Sequence, residues 1–299
     1  MRDAGPEPAS GPMTNLIGGL SLGSIYALIA VGVALVYRTT GIVNFAQGEL
    51  VMIGAYAYVV ASFWTGSPLL TMLAALLGGA AAGMIFFVVV HVLLRGREDL
   101  RLVVGTIALL TLIQGGARLI ATDRPYRAET WLFPDATLHV WGAVLPANAL
   151  VIIAALLLTA LALFLWFSFT IVGKAMAAVA EDPVRSALSG IPVRGMLLIS
   201  WSAAGAIAAM AGVLISPVTG AFPEMGAQVF LAAVVGGVVG GLDSIIGALV
   251  GGLLVGLVQT YAVIAVGGAF RDVVVFALLL AFLLMRPAGL FGSRSLRQV

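Results

Sequence analysis

The chain contains no cysteine, which excludes disulfides, thiolate metal sites and thiol nucleophiles. It has a single lysine, Lys174, and only 9% of its 299 residues are charged, where soluble domains carry about a quarter. A soluble fold with so few charges could not cover its surface. The lone lysine also excludes a phosphate-cradling P-loop, which needs Gly-x-x-x-x-Gly-Lys-Ser/Thr. Lys174 follows Gly173, but Ala175 comes next and position 168 is Ser. ATP hydrolysis by that motif is therefore absent from this chain. The two histidines, His91 and His139, stand alone without a second ligand at helical or loop spacing. No metal site and no cofactor are expected.

What is abundant points the other way. Hydrophobic residues make up 62% of the sequence and glycine contributes 37 positions. Apolar runs fall at about 15–37, 41–62, 69–94, 102–121, 149–169, 195–216, 229–241, 245–266 and 272–286. Most are long enough to cross about 30 Å of hydrocarbon. The 41–62 run is broken by polar residues, and 229–241 is too short unless its ends extend. The fold class is an all-α polytopic membrane protein with eight or nine transmembrane or re-entrant helices. Residues 1–14 are rich in Pro, Gly and Ala and read as a disordered tail, with Met13 as a candidate start. Residues 15–292 read as one transmembrane domain and 293–299 as a cytoplasmic tail.

The net charge of +2 does not point to nucleic acid, because the arginines are dispersed between spans and read as topology. Ten basic residues (Arg38, Arg95, Arg97, Arg101, Lys174, Arg185, Arg194, Arg286, Arg294 and Arg297) share one set of connections. Arg124, Arg127 and Arg271, with Arg2 in the tail and Arg118 near a helix end, fall on the other. The positive-inside rule then places the 170–194 loop and the C-terminus in the cytoplasm.

Asn44, Gln47 and Glu49 interrupt the second run, with Gly48 between them. A carboxylate inside a span costs about 2.5–3.5 kcal/mol on insertion scales unless paired or hydrated. Gly48 allows a close backbone approach or an unwound turn. One reading is that the break faces a water-filled pathway or braces its gate. The other is that Asn44 caps a helix start and Glu49 pairs with Arg38.

The 170–194 loop carries two helical runs. Asp182 before Pro183 is an N-cap with proline at the first helical position. Gly190 fits the position after the helix end, and Pro192 forbids continuation. A helix over 183–189 follows, preceded by another over 171–181. Val184, Ala187 and Leu188 form one apolar stripe at i, i+3, i+4 spacing. A short helix capped at both ends is suited to docking in a groove on another protein; the alternative is a linker helix lying flat on the membrane. Late in the chain, Gly236/Gly240, Gly247/Gly251 and Gly252/Gly256 repeat small-xxx-small spacing. Such pairs bring helices close, within one chain or against a second one. Residues 122–148, with Trp131 and Trp141, form the longest outward loop.

The chain resembles the membrane permease subunits of bacterial ABC importers for branched-chain amino acids, of the LivH type. The resemblance covers nearly everything from Asn15. Gly19-Leu-Ser-Leu-Gly23-Ser-Ile-Tyr26, Val43-Asn44-Phe45-Ala46-Gln47-Gly48-Glu49, Met52-Ile-Gly54-Ala-Tyr56 and Arg286-Pro287-Ala-Gly289-Leu-Phe-Gly carry it. Ala180-Glu181-Asp182 with Gly190 is similar to the loop such permeases insert into their ATPase. The resemblance implies a second related permease, two cytoplasmic ATP-binding subunits, an extracytoplasmic solute-binding protein and a place in the bacterial cytoplasmic membrane. It implies ATPase coupling at Ala180, Glu181, Asp182, Pro183, Val184, Ala187, Leu188 and Gly190. Asn44, Gln47, Gly48 and Glu49 are candidates for the translocation pathway or gate. Importers of urea, short amides or other small polar solutes share these motifs. A stand-alone ion-coupled carrier would instead need paired acidic residues at the membrane midplane, and the sequence offers only Glu49, which is off-centre.

Overall fold

In hydrocarbon a backbone has no water to bond, so long apolar runs must satisfy their own amides as helices. The computed structural model describes residues 11–93, 99–121, 124–128, 136–140 and 143–292, and among them eleven α-helices dominate. They are α1 (Pro12–Thr40), α2 (Gln47–Ser62), α3 (Pro68–Phe87), α4 (Asp99–Ala121), α5 (Ala147–Phe169) and α6 (Ile171–Glu181). Then come α7 (Pro183–Leu188), α8 (Val193–Thr219), α9 (Met225–Gly240), α10 (Ile245–Val266) and α11 (Arg271–Met285). A π-helical turn, Val88–Leu93, extends α3. Between α4 and α5 a hairpin pairs β1 (Thr137–Val140) with β2 (Ala143–Pro146) in antiparallel register. This hairpin adds a small β element, within the 122–148 connection, to the expected all-α fold; Trp131 and Trp141 lie outside the described residues.

Among the described residues seven helical segments are long and apolar enough to cross a membrane, the first being α1 and the last running over Gly268–Met285. The two remaining runs of the sequence, 41–62 and 229–241, correspond to α2 and α9, of 16 residues each. At 1.5 Å per residue each spans about 24 Å, short of a full crossing. Two boundaries differ from expectation. Proline at the first turn starts α1 at Pro12, so residues 12–14 are helical rather than tail. The 41–62 run is not one helix: Gly41, at φ 75°, ends α1, and helix resumes only at Gln47. The 293–299 tail lies outside the described residues.

The core is built around α1, which is buried without interruption from Gly23 to Val36. Side-chain-free surfaces let its neighbours close in. A Cβ on Gly23 would overlap the backbone of Leu253, and one on Gly252 would overlap Ala27. On the other side α8 packs against α2 and α3 through Gly54, Gly79 and Gly205 in the same way. Trp201 of α8 is fully buried beside Phe87 and His91, with ring centroids at 6.4 and 5.4 Å. His91 thus sits in an aromatic cluster, and no set of three metal-ligating side chains converges among the described residues. The periphery is bare by contrast: 11% of the apolar stretch of α4 is buried within the chain.

Candidate functional site

The break before α2 sits inside the bundle. After Gly41 the chain turns inward, and the Asn44 side chain folds back to accept a hydrogen bond from the Ala46 amide at 3.1 Å. This is the local turn that Asn favours over helix. Asn44 Nδ2 donates to Gln47 Oε1 at 3.2 Å, and Gln47 Nε2 donates to the Ala204 carbonyl of α8 at 3.1 Å. The Phe45 amide donates to Thr106 Oγ1 of α4 at 3.2 Å. A Cβ on Gly32 would overlap the Gln47 amide, so Gly32 makes the room it occupies. Gly32 lies eight residues before the end of α1, about 12 Å along the axis. Asn44 and Gln47 are completely buried.

Glu49, one turn into this region, is 1% exposed, and neither carboxylate oxygen has a hydrogen-bond partner. The expected capping and pairing do not form. The N-cap of α2 is Ala46 without a side-chain bond, and the Arg38 guanidinium lies 6.0 Å over the Phe167 ring. The physical reason is that residues 42–46 carry the chain inward, away from the end of α1. Gly48 meets Gly226 where α2 crosses α9. An isosteric neutral side chain should suit the Glu49 position better than a charge, because unpaired buried charges are costly. Glu49→Gln is expected to raise the melting temperature in detergent by about 2–4 °C per kcal/mol relieved. A fall in that temperature would show that the carboxylate is stabilised there.

Beside the end of α1 the 170–194 segment forms two capped helices. Thr170 Oγ1 accepts from the Gly173 amide at 2.9 Å, starting α6. Asp182 ends α6 and caps α7, its Oδ1 accepting from the Val184 and Arg185 amides at 2.9 Å each. Arg185 Nε reaches Asp182 Oδ2 at 3.0 Å. Gly190 adopts φ 84°; its amide donates to the Ala187 carbonyl and that of Ile191 to the Ser186 carbonyl. That left-handed closure is what glycine at this position supplies. The helix presents its polar Ser186 inward, buried, while Val184 and Leu188 are 69% and 85% exposed and Ala187 is exposed as well. Asp182→Ala is expected to weaken this turn by about 0.5–2 kcal/mol, the usual worth of an N-cap. Faster amide exchange confined to residues 183–190 checks it.

Behind α6 lies a cleft of about 1140 Å³ lined by Tyr37, Arg38, Lys174, Ala180, Glu181 and Asp243, among others. It joins the end of α1, the α9–α10 turn and Pro287 to the capped segment. The late glycines serve contacts within the chain. Gly236 meets Gly251 and Gly252, Gly240 meets Gly247, and Gly256 meets Gly23. Two polar contacts escaped the sequence reading because their partners are far apart. Tyr26 OH donates to Gln259 Oε1 at 2.5 Å, across 233 positions, and Arg118 of α4 pairs with Glu224 before α9.

The chain is similar in sequence to known proteins. The family described as the branched-chain amino acid transport system / permease component matches residues 15–283. The chain belongs to this permease family. It is 32% identical over 302 residues to the high-affinity branched-chain amino acid transport permease BraD of Pseudomonas aeruginosa, covering 96% of this chain and 98% of that protein. It is 29% identical over 303 residues to LivH of Escherichia coli, covering 96% and 97%. The ribose import permease RbsC of Escherichia coli is 27% identical over 230 residues, 76% of this chain and 69% of that protein. No solved structure matches the chain. As a family member the chain is a multi-pass membrane transport permease, in agreement with the resemblance carried by its motifs.

Proposed function

We propose that this permease pairs with a second related permease in a bacterial cytoplasmic membrane and forms with it the passage for branched-chain amino acids. Solute comes from an extracytoplasmic binding protein, and two cytoplasmic ATP-binding subunits supply the energy. The 170–194 segment and the C-terminus face the cytoplasm in this reading, following the basic residues. The observation that carries it is α7, with Val184, Ala187 and Leu188 turned outward on a frame closed by Asp182, Pro183 and Gly190. A rigid apolar ridge of this kind suits a groove on a partner. Ala180 and Glu181 continue the same surface along α6 towards the cleft. The break at Asn44, Gln47, Gly48 and Glu49 serves as the hinge or gate, because it ties α2 to α4, α8 and α9 at one place.

The test is co-purification in mild detergent with proteins encoded beside this chain. Recovery of a second multi-span protein and P-loop ATPases is expected. Recovery of this chain alone would count against the assembly.

A further inference from the structure

Helix α4 is held to the rest of the chain along one narrow face. Leu102, Thr106, Leu109, Ile113 and Ala117 turn towards the core. The flank beside that face carries Ile107, Thr111, Gln114 and Arg118, spaced four, three and four apart and therefore in one line along the helix. Thr111 and Arg118 are exposed and Gln114 is half-exposed. Thr111 bonds only its own helix, at the Ile107 carbonyl, and Gln114 has no hydrogen-bond partner among the described residues. Polar side chains inside a span that do not pack on their own chain face water or another helix rather than lipid. The stripe ends at the Arg118–Glu224 ion pair, which ties α4 to the start of α9 and is itself partly open, with side chains 54% and 32% exposed.

Resting on the transport reading above, we propose that the Arg118–Glu224 pair is a gate that recognises α-amino acid zwitterions and opens by exchanging its partners for theirs. The solute carboxylate takes Arg118, and its ammonium takes Glu224. Each charge keeps a counter-ion throughout, so the exchange leaves nothing unpaired. A solute with only one of the two charges leaves either Arg118 or Glu224 without its counter-ion and so competes less well for the pair. Past the gate, Gln114 and Thr111 offer hydrogen bonds about one and two turns further along α4. In the present structure the pair is joined and the gate is closed.

The chain has no cysteine of its own, so a single Gly115→Cys reports on the stripe. A Cβ at Gly115 meets nothing within 4 Å, and the position lies between Thr111 and Arg118 on the exposed side. The assembled complex in proteoliposomes is treated with a membrane-impermeant maleimide, without binding protein. Labelling is expected, slowed at least threefold by millimolar leucine but not by 4-methylpentanoate or 3-methylbutylamine, which each lack one charge. Adding Glu224→Gln should abolish the protection. No labelling, no protection by leucine, or equal protection by a singly charged analogue overturns the gate. ATP-driven leucine uptake by the same Gly115→Cys complex, measured in parallel, separates the causes. Uptake without protection removes the gate alone, whereas no leucine uptake even by the unmodified complex removes the transport reading and the gate with it.

Discussion

Leu188→Asp is expected to release the ATP-binding subunits while leaving the permease folded. Leu188 is 85% exposed at the tip of α7, so a carboxylate there stays in water and costs the isolated chain almost nothing. In the complex the same side chain enters an apolar groove, and a buried charge without a partner is among the most costly interface changes. A loss of about 2 kcal/mol or more, roughly thirtyfold in affinity, is the scale for a central apolar anchor. Val184→Asp, on the same stripe, should act alike. The measurement is titration of detergent-purified permease complex with its ATPase, alongside the melting temperature of the permease. Unchanged affinity at both positions would show that the stripe faces something other than the ATPase.

Gly251→Leu should act at the opposite extreme, destroying the fold. A Cβ at Gly251 falls on the Gly236 carbonyl and crowds the Gly240 amide. The obstacle is backbone on a packed helix, with no flexible side chain that could give way. Overpacking of well-filled cores costs about 1–3 kcal/mol even where side chains can shift, and here α9 and α10 would have to part. The seam continues through Gly252 against Ala27 and Gly256 against Gly23, so the separation would spread to α1. Little monodisperse protein is expected in detergent extracts, at least tenfold below the parent. Gly115→Leu, where nothing lies within 4 Å, is the control that should extract normally.

Much of this was legible before any coordinates. The spans, the caps at Asp182 and Gly190 and the helix over 171–181 all follow from local rules, where a residue's neighbours in sequence decide its conformation. The break in the second run was visible as polarity, but its shape was not. Asn44 and Gln47, three positions apart, would share one face of an unbroken helix, and spacing alone does not reveal that Asn44 folds back on the Ala46 amide. The Gln47 bond to Ala204 spans 157 positions, and no pattern within one helix announces it. The same holds for Arg118 and Glu224, which read as a basic residue near a helix end and an unremarked acid. Pairing across 106 positions is a property of how helices pack. The glycine spacing told that helices approach closely, while only the packing shows that α1, α9 and α10 are the ones that meet.

The central claim is that this permease moves branched-chain amino acids with energy delivered by ATPases docked on α7. Leucine uptake into proteoliposomes, with the permease pair, its ATPases and the binding protein present, tests it most directly. Uptake is expected only with ATP on the α7 side, and should fall at least tenfold with Leu188→Asp while membrane insertion is unchanged. Leucine uptake by this chain alone, without ATP and untouched by Leu188→Asp, would contradict the account.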